Sequence, residues 1–133
     1  MSRGRRWGSM QSFNEPAARR VILLVDDEPL VRMGVALLLE ELGHKVLQAS
    51  TAAQAMQLLG ENDDIEILMT DFRMPDIDGL EMIAKAKAVS PSIRTVLMTG
   101  YAVDDERFAF TNTPRLAKPF GIRDLEQALL QSC

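Results

Sequence analysis

Apolar residues in this chain fall into short unbroken runs separated by longer stretches of helical spacing. VILLV (21–25) is wholly apolar and rich in branched side chains, the pattern of a strand buried on both faces. Glu28 to Leu42 reads as a helix, with Pro29 suited to a first turn and Gly43 to a C-terminal stop. His44–Ala49 predicts a second strand, and Ser50 an N-cap for a helix through Leu59 that ends near Gly60. IEILMT (65–70) predicts a third strand, Asp71–Asp78 a loop containing Pro75, and Gly79–Val89 a helix. IRTVLMT (93–99) predicts a fourth strand, and residues 101–110 a short, weakly helical stretch. Arg115–Ala117 predicts a brief fifth strand, and Ile122–Gln131 a last helix with Leu125, Ala128 and Leu129 on one face.

Strands alternating with helices make parallel βαβ units with right-handed crossovers. The expected fold is therefore α/β, a doubly wound five-stranded parallel sheet with helices on both faces. Ligand sites in such sheets lie outside the carboxyl ends of the strands. At those ends the sequence places Asp26-Asp27 (strand one), Asp71 (strand three), Thr99-Gly100 (strand four) and Lys118-Pro119 (after strand five). Three carboxylates, a hydroxyl and an ammonium thus converge on one rim. Carboxylates packed together repel one another unless a cation joins them, and hard oxygen ligands suit Mg²⁺. Such an ion can screen an attacking carboxylate and bridge to a phosphoryl oxygen. Lys118 can pair with a phosphoryl oxygen, and the Thr99 hydroxyl can donate to another.

The segments VILLVDDEP, LMTDFRMPDIDG, VLMTGYA and LAKPF, in this order, resemble the response-regulator receiver family of two-component signalling over roughly residues 21–131. The resemblance implies a flavodoxin-like strand order, 2-1-3-4-5. By it, Asp71 is similar to the phosphorylated aspartate, and Asp26 and Asp27 to the acidic pair that holds Mg²⁺. The backbone carbonyl of Arg73 is similar to a further metal ligand, Thr99 to the switch hydroxyl and Lys118 to the phosphate-sensing lysine. A cis Lys118–Pro119 peptide is also implied. The implied phosphodonor is a histidine kinase or a histidine phosphotransfer protein.

Three positions depart from the family pattern. Arg115 stands where members often carry an aromatic switch residue. The stretch from Thr99 to Lys118 is a little shorter than is common, so residues 101–110 must form a short or irregular element, and Pro114 requires an edge strand. The Arg73 side chain can overhang the phosphorylation site. The first helix adds a separate expectation. Val31, Val35, Leu38 and Leu42 form a stripe expected to face the sheet, while Leu30, Met33 and Leu37 form a second apolar stripe. That second stripe is either a docking face for the phosphodonor or scattered surface hydrophobes.

Charge narrows the partners. Residues 1–20 hold five arginines (Arg3, Arg5, Arg6, Arg19, Arg20) against Glu15, a balance of +4, so residues 21–133 carry −8 of the whole-chain −4. An acidic body argues against DNA binding by the folded domain. The basic segment 1–20 lacks apolar periodicity and reads as a disordered extension or linker ahead of a domain at 21–133. The single cysteine, Cys133, permits no internal disulfide and fits a reducing, cytoplasmic setting. No apolar run approaches the roughly 18 residues needed to span a bilayer. Asp76, Asp78 and Gly79 hint at a calcium loop, but Met74 and Lys85 occupy its first and twelfth positions.

The expectation is a phospho-accepting relay, phosphate sink or kinase-feedback regulator that modifies itself rather than an enzyme turning over a foreign substrate. Two alternatives stand beside it. One is an interaction module with the same fold that works unphosphorylated. The other is a small hydrolase with Asp71 as nucleophile, which would want an acid/base carboxylate where Arg73 stands.

Overall fold

A computed structural model of the protein describes residues 18–100 and 103–133, so most of the basic extension, residues 1–17, lies outside the described residues. Five strands, β1 (Val21–Val25), β2 (Lys45–Ala49), β3 (Ile67–Asp71), β4 (Arg94–Thr99) and β5 (Arg115–Ala117), form one parallel sheet in the order β2-β1-β3-β4-β5. Four helices connect or follow them: α1 (Pro29–Glu41), α2 (Ala52–Glu61), α3 (Gly79–Val89) and α4 (Ile122–Gln131). A 3₁₀ turn, Glu106–Phe110, stands where a fourth crossover helix would lie. The expected doubly wound architecture and strand order are those observed.

The two-residue period of a strand divides the core into two layers. Leu23, Val25 and Leu68 face α2 and α3, packing with Ala52, Ala55, Leu59, Met82, Ile83 and Ala86. Ile22, Leu24, Ile67, Met69, Val96 and Met98 face the other way, onto Val35, Leu39, Leu125 and Leu129 of α1 and α4. The unbroken apolar runs of the inner strands follow from burial on both faces.

Several local expectations are corrected. The cap of α2 is Thr51, whose hydroxyl accepts the Gln54 N–H at 3.1 Å, whereas Ser50 donates its own N–H to the Gln54 side chain at 2.8 Å. The helix α2 ends at Glu61, one residue past Gly60, close to where the sequence placed its end. Asp71 is the last residue of β3, paired with Met98 of β4, rather than the first of a loop. On α1 the residues buried against the sheet are Val35, Ala36 and Leu39. Of the expected stripe, Val31 is exposed and Leu38 and Leu42 are half-buried. The second stripe does lie in solvent, with Leu30 84% and Leu37 66% exposed. Pro114 precedes the edge strand as expected, and its carbonyl accepts the Leu97 N–H at 2.9 Å.

At the opposite end of the sheet from the carboxylates, the buried His44 Nδ1 accepts the Arg20 N–H at 3.0 Å. Burial first, and the Arg20 charge second, hold this imidazole below its ordinary value of 6.5, with Glu66 pulling weakly the other way. A base depressed on folding takes up its proton more readily when unfolded. Its contribution is intact above pH 6.5 and is lost as pH falls through that value toward the folded pKa. Urea midpoints should therefore drop below pH 6.5 in the wild type. The drop should shrink in His44→Gln, which keeps an acceptor and has no proton to gain. An identical pH profile in both proteins would refute this role for His44.

Candidate functional site

The rim at the carboxyl ends of β1, β3 and β4 is built by strand geometry: the pairing of β1 with β3 sets Val25 beside Thr70, so Asp26 and Asp71 follow at neighbouring strand ends. Carboxylate oxygens of Asp26, Asp27 and Asp71 all lie within 4.8 Å of one another. Asp26 is fully buried, Asp71 is buried and Asp27 is exposed, so the cluster is closed at its base and open to solvent on one side.

Each polar atom of Asp26 has a partner. Its N–H donates to Ala49 O (3.1 Å), and its carbonyl accepts from Arg32 Nη1 (2.8 Å). Its carboxylate accepts from the Glu28 N–H (2.9 Å) and from Lys118 Nζ (3.1 Å). A buried carboxylate held in this way is a fixed point rather than a mobile side chain. Lys118 also reaches Asp71, at 3.3 Å, and so bridges two of the three acids. Its peptide with Pro119 is cis, as the resemblance implied, and its N–H donates to Thr99 O at 2.7 Å. This bond carries the lysine from the sheet edge back toward the rim.

Electrostatics follow from this packing. Burial raises the Asp71 carboxyl above its ordinary value, Lys118 pulls it back, and Asp26 adds to the rise; the net shift is upward. Burial works against the Lys118 charge, but its bonds to Asp26 and the charge of Asp71 outweigh this and hold its pKa high. One ammonium among three carboxylates leaves the rim short of positive charge. The donor set consists of hard oxygens with one open side, and it fits a small divalent cation such as Mg²⁺. Arg73 is exposed and, with Asp27, Asp71, Lys118 and Gly100, lines a cavity of about 910 Å³ running from the rim along Val31 and Leu38 of α1 to Phe120. Thr99, the last residue of β4, is buried.

The residues that hold the loop after Asp71 escaped the sequence reading. Asp76 accepts the N–H groups of Ala52 (3.3 Å) and Ala53 (3.1 Å) and so ties the loop to the start of α2. Burial, the largest single influence, pushes its carboxyl up, but these donors and the Ile77 N–H together outweigh it and hold the carboxyl low. Asp78 caps α3 in a reciprocal box with Glu81, a signal that was present in the sequence as Asp-x-x-Glu. It also accepts from Arg107 Nη2 at 2.7 Å. Arg115, at the expected aromatic position, stacks its guanidinium 4.7 Å from the Phe108 ring centroid. Phe108 in turn meets Phe72 edge-to-face at 5.4 Å.

Comparison with known proteins gives one consistent result. The sequence profile of the response regulator receiver domain matches residues 22–130. The chain is similar to the response regulator receiver protein CpdR of Brucella abortus, with 32% identity over 107 residues, covering 78% of this chain and 88% of that protein. It is also similar to the sensor kinase CckA of the same organism, with 31% identity over 113 residues and 78% of this chain covered, but it spans only 11% of the kinase. A crystal structure of a response regulator receiver domain protein from Clostridium thermocellum superposes with a TM-score of 0.76 at 29% identity, covering 84% of this chain and 91% of that one.

Proposed function

Because this chain belongs to the response regulator receiver domain family of two-component systems, we propose that it accepts a phosphoryl group on Asp71 from the phosphohistidine of a histidine kinase or phosphotransfer protein. The observation that carries this reading is the meeting of Asp26, Asp27 and Asp71 within 4.8 Å, with Lys118 bridging two of them. In the transfer an Asp71 oxygen forms a bond to phosphorus as the phosphorus–nitrogen bond breaks, and the donor imidazole keeps the electron pair. On this reading Lys118 would exchange its Asp71 contact for a phosphoryl oxygen, and the Thr99 hydroxyl would donate to another. Mg²⁺ held by Asp26, Asp27, Asp71 and the Arg73 carbonyl would supply charge neutralisation at the phosphoryl group. The fixed Asp26 and the open Asp27 would offer such an ion one rigid and one accessible carboxylate.

On this reading the domain is a cytoplasmic relay, phosphate sink or kinase-feedback element, altered by the transfer rather than turning over a foreign substrate. Similarity to CpdR over most of that protein's length supports it. Incubation with Mg²⁺ and acetyl phosphate should add one phosphoryl group to the wild type by intact mass, and none to Asp71→Asn. An adduct that survives the substitution would overturn the assignment.

The donor is proposed to dock on α1 beside the rim, where Leu30, Met33 and Leu37 are exposed and the cavity along Val31 and Leu38 opens from Asp71. Leu37→Glu is expected to slow transfer from the cognate kinase about tenfold or more, the effect of a charge placed in an interface anchor. Labelling by acetyl phosphate should be unchanged. Equal losses with both donors would mean that Leu37 serves the fold and not the docking.

A further inference from the structure

We propose that Arg107 is a positioning residue for the metal and phosphorylation site, acting by stapling both ends of the loop that carries the Arg73 carbonyl. The inference rests on the reading of that site given above.

The loop runs from Phe72, next to Asp71, to Asp78, the cap of α3. It is closed at its base by the Gly79 N–H, which donates to Phe72 O at 2.7 Å. One flank is tied to α2 through Asp76. The other flank faces the 3₁₀ turn, and there one guanidinium touches both ends. Arg107 Nη2 donates to Asp78 Oδ2 at 2.7 Å, and the same guanidinium lies 5.8 Å from the Phe72 ring centroid. Arg73 sits between these two grips.

Arg107 is itself held in one orientation. Its Nε and Nη2 both donate to Asp105 at 3.0 Å, and its backbone N–H donates to the same carboxylate at 2.9 Å. The bonds from Arg107 pull the Asp105 carboxyl down to about 2. The adjacent Phe108 is buried, and its ring meets Phe72 edge-on. The turn therefore presents a planar fork to the loop from an anchored base, a task for which lysine is a poor substitute.

These contacts are partly solvated, with the Arg107 side chain 45% exposed, so they add little to global stability. Their effect should appear in the placement of the loop's oxygen ligand. A carbonyl set slightly wrong weakens ion binding, while the carboxylate chemistry is restored once the ion is bound. This separates positioning from folding.

The test titrates wild type, Arg107→Ala, Arg107→Lys and Asp78→Asn with Mg²⁺ alone, following amide NMR shifts of the rim. It is paired with initial rates of acetyl phosphate labelling at limiting and saturating Mg²⁺. Arg107→Ala should weaken Mg²⁺ binding about three- to tenfold, below the usual loss for an outer-shell partner because the pair is half exposed. Labelling should be slow at limiting Mg²⁺ and near wild type at saturation. Arg107→Lys should fall between the two. Asp78→Asn, which retains a helix cap, should shift in the same direction, and combining it with Arg107→Ala should add nothing further. Wild-type Mg²⁺ affinity in Arg107→Ala overturns the inference while leaving the site assignment intact. Absence of saturable Mg²⁺ shifts in the wild type overturns both.

Discussion

Asp71→Asn is expected to eliminate phosphoryl acceptance while making the metal-free fold more resistant to urea. Complete loss is expected if Asp71 is the acceptor as proposed, because asparagine has no oxygen nucleophile of comparable strength. The gain in stability has a separate origin. Asp71 is raised above its ordinary value of 3.8, first by burial, against the pull of Lys118 and with a push from Asp26. An acid raised on folding binds its proton more tightly in the native chain. Metal-free stability is therefore lost as pH climbs from 3.8 through the folded pKa, and at neutral pH the full cost is present. Asparagine removes that cost and leaves Lys118 paired with Asp26. Mg²⁺ should reverse the order by stabilising the wild type more than the variant. The check is urea unfolding of both proteins at neutral pH, with and without Mg²⁺. A variant less stable than wild type without metal would contradict the electrostatic account of the rim.

Gly79→Ala is expected to cost about 1–3 kcal/mol and to impair labelling at Asp71, because the space a methyl would need is already filled. A Cβ at position 79 would lie 2.5 Å from the Asp71 carbonyl oxygen, 2.6 Å from Leu97 Cδ1 and 2.9 Å from Phe72 Cα. Two of these atoms are backbone of the strand end that carries Asp71, so relief must move either α3 or Asp71. Leu97 sits in the core layer under α3 and has little room to retreat. A fall in the urea midpoint with an unchanged slope, together with slower labelling, would report both consequences. A variant within about 0.5 kcal/mol of wild type, labelled at the wild-type rate, would show that the contact relaxes without consequence.

Much of this architecture was legible in the sequence, for reasons that can be traced to particular residues. The inner strands announce themselves because burial on both faces leaves Val21–Val25 and Ile67–Met69 without a polar residue. The rim was legible because its chemistry sits at the ends of those strands, where Asp26, Asp27, Asp71 and Thr99 interrupt apolar runs. The core face of α1 was not. Leu30, Val31, Met33, Val35, Ala36, Leu37, Leu38 and Leu39 surround most of its circumference, so helical periodicity alone selects no side, and the sheet chooses Val35, Ala36 and Leu39. Ser50 and Thr51 are both competent caps, and the choice turns on the Gln54 side chain, which engages the Ser50 N–H and leaves the helix start to Thr51. The clamps around the Asp71 loop were the hardest to see. Asp76 and Asp78 find their partners 23 to 29 residues away, a distance across which local patterning carries no information.

The sheet order has a further consequence for how the rim holds together in time. Asp26, Asp27 and Asp71 are carried by β1 and β3, which are paired on both sides. Lys118 follows β5, a strand of three residues that, among the described residues, pairs with β4 alone at one edge of the sheet. Segments with so few partners open long before the whole domain does. The acids therefore belong to the most durable part of the molecule and their counter-charge to one of the least. A brief detachment of the edge would withdraw the ammonium and leave three negative groups facing each other, so the rim's charge balance is only as persistent as its weakest strand.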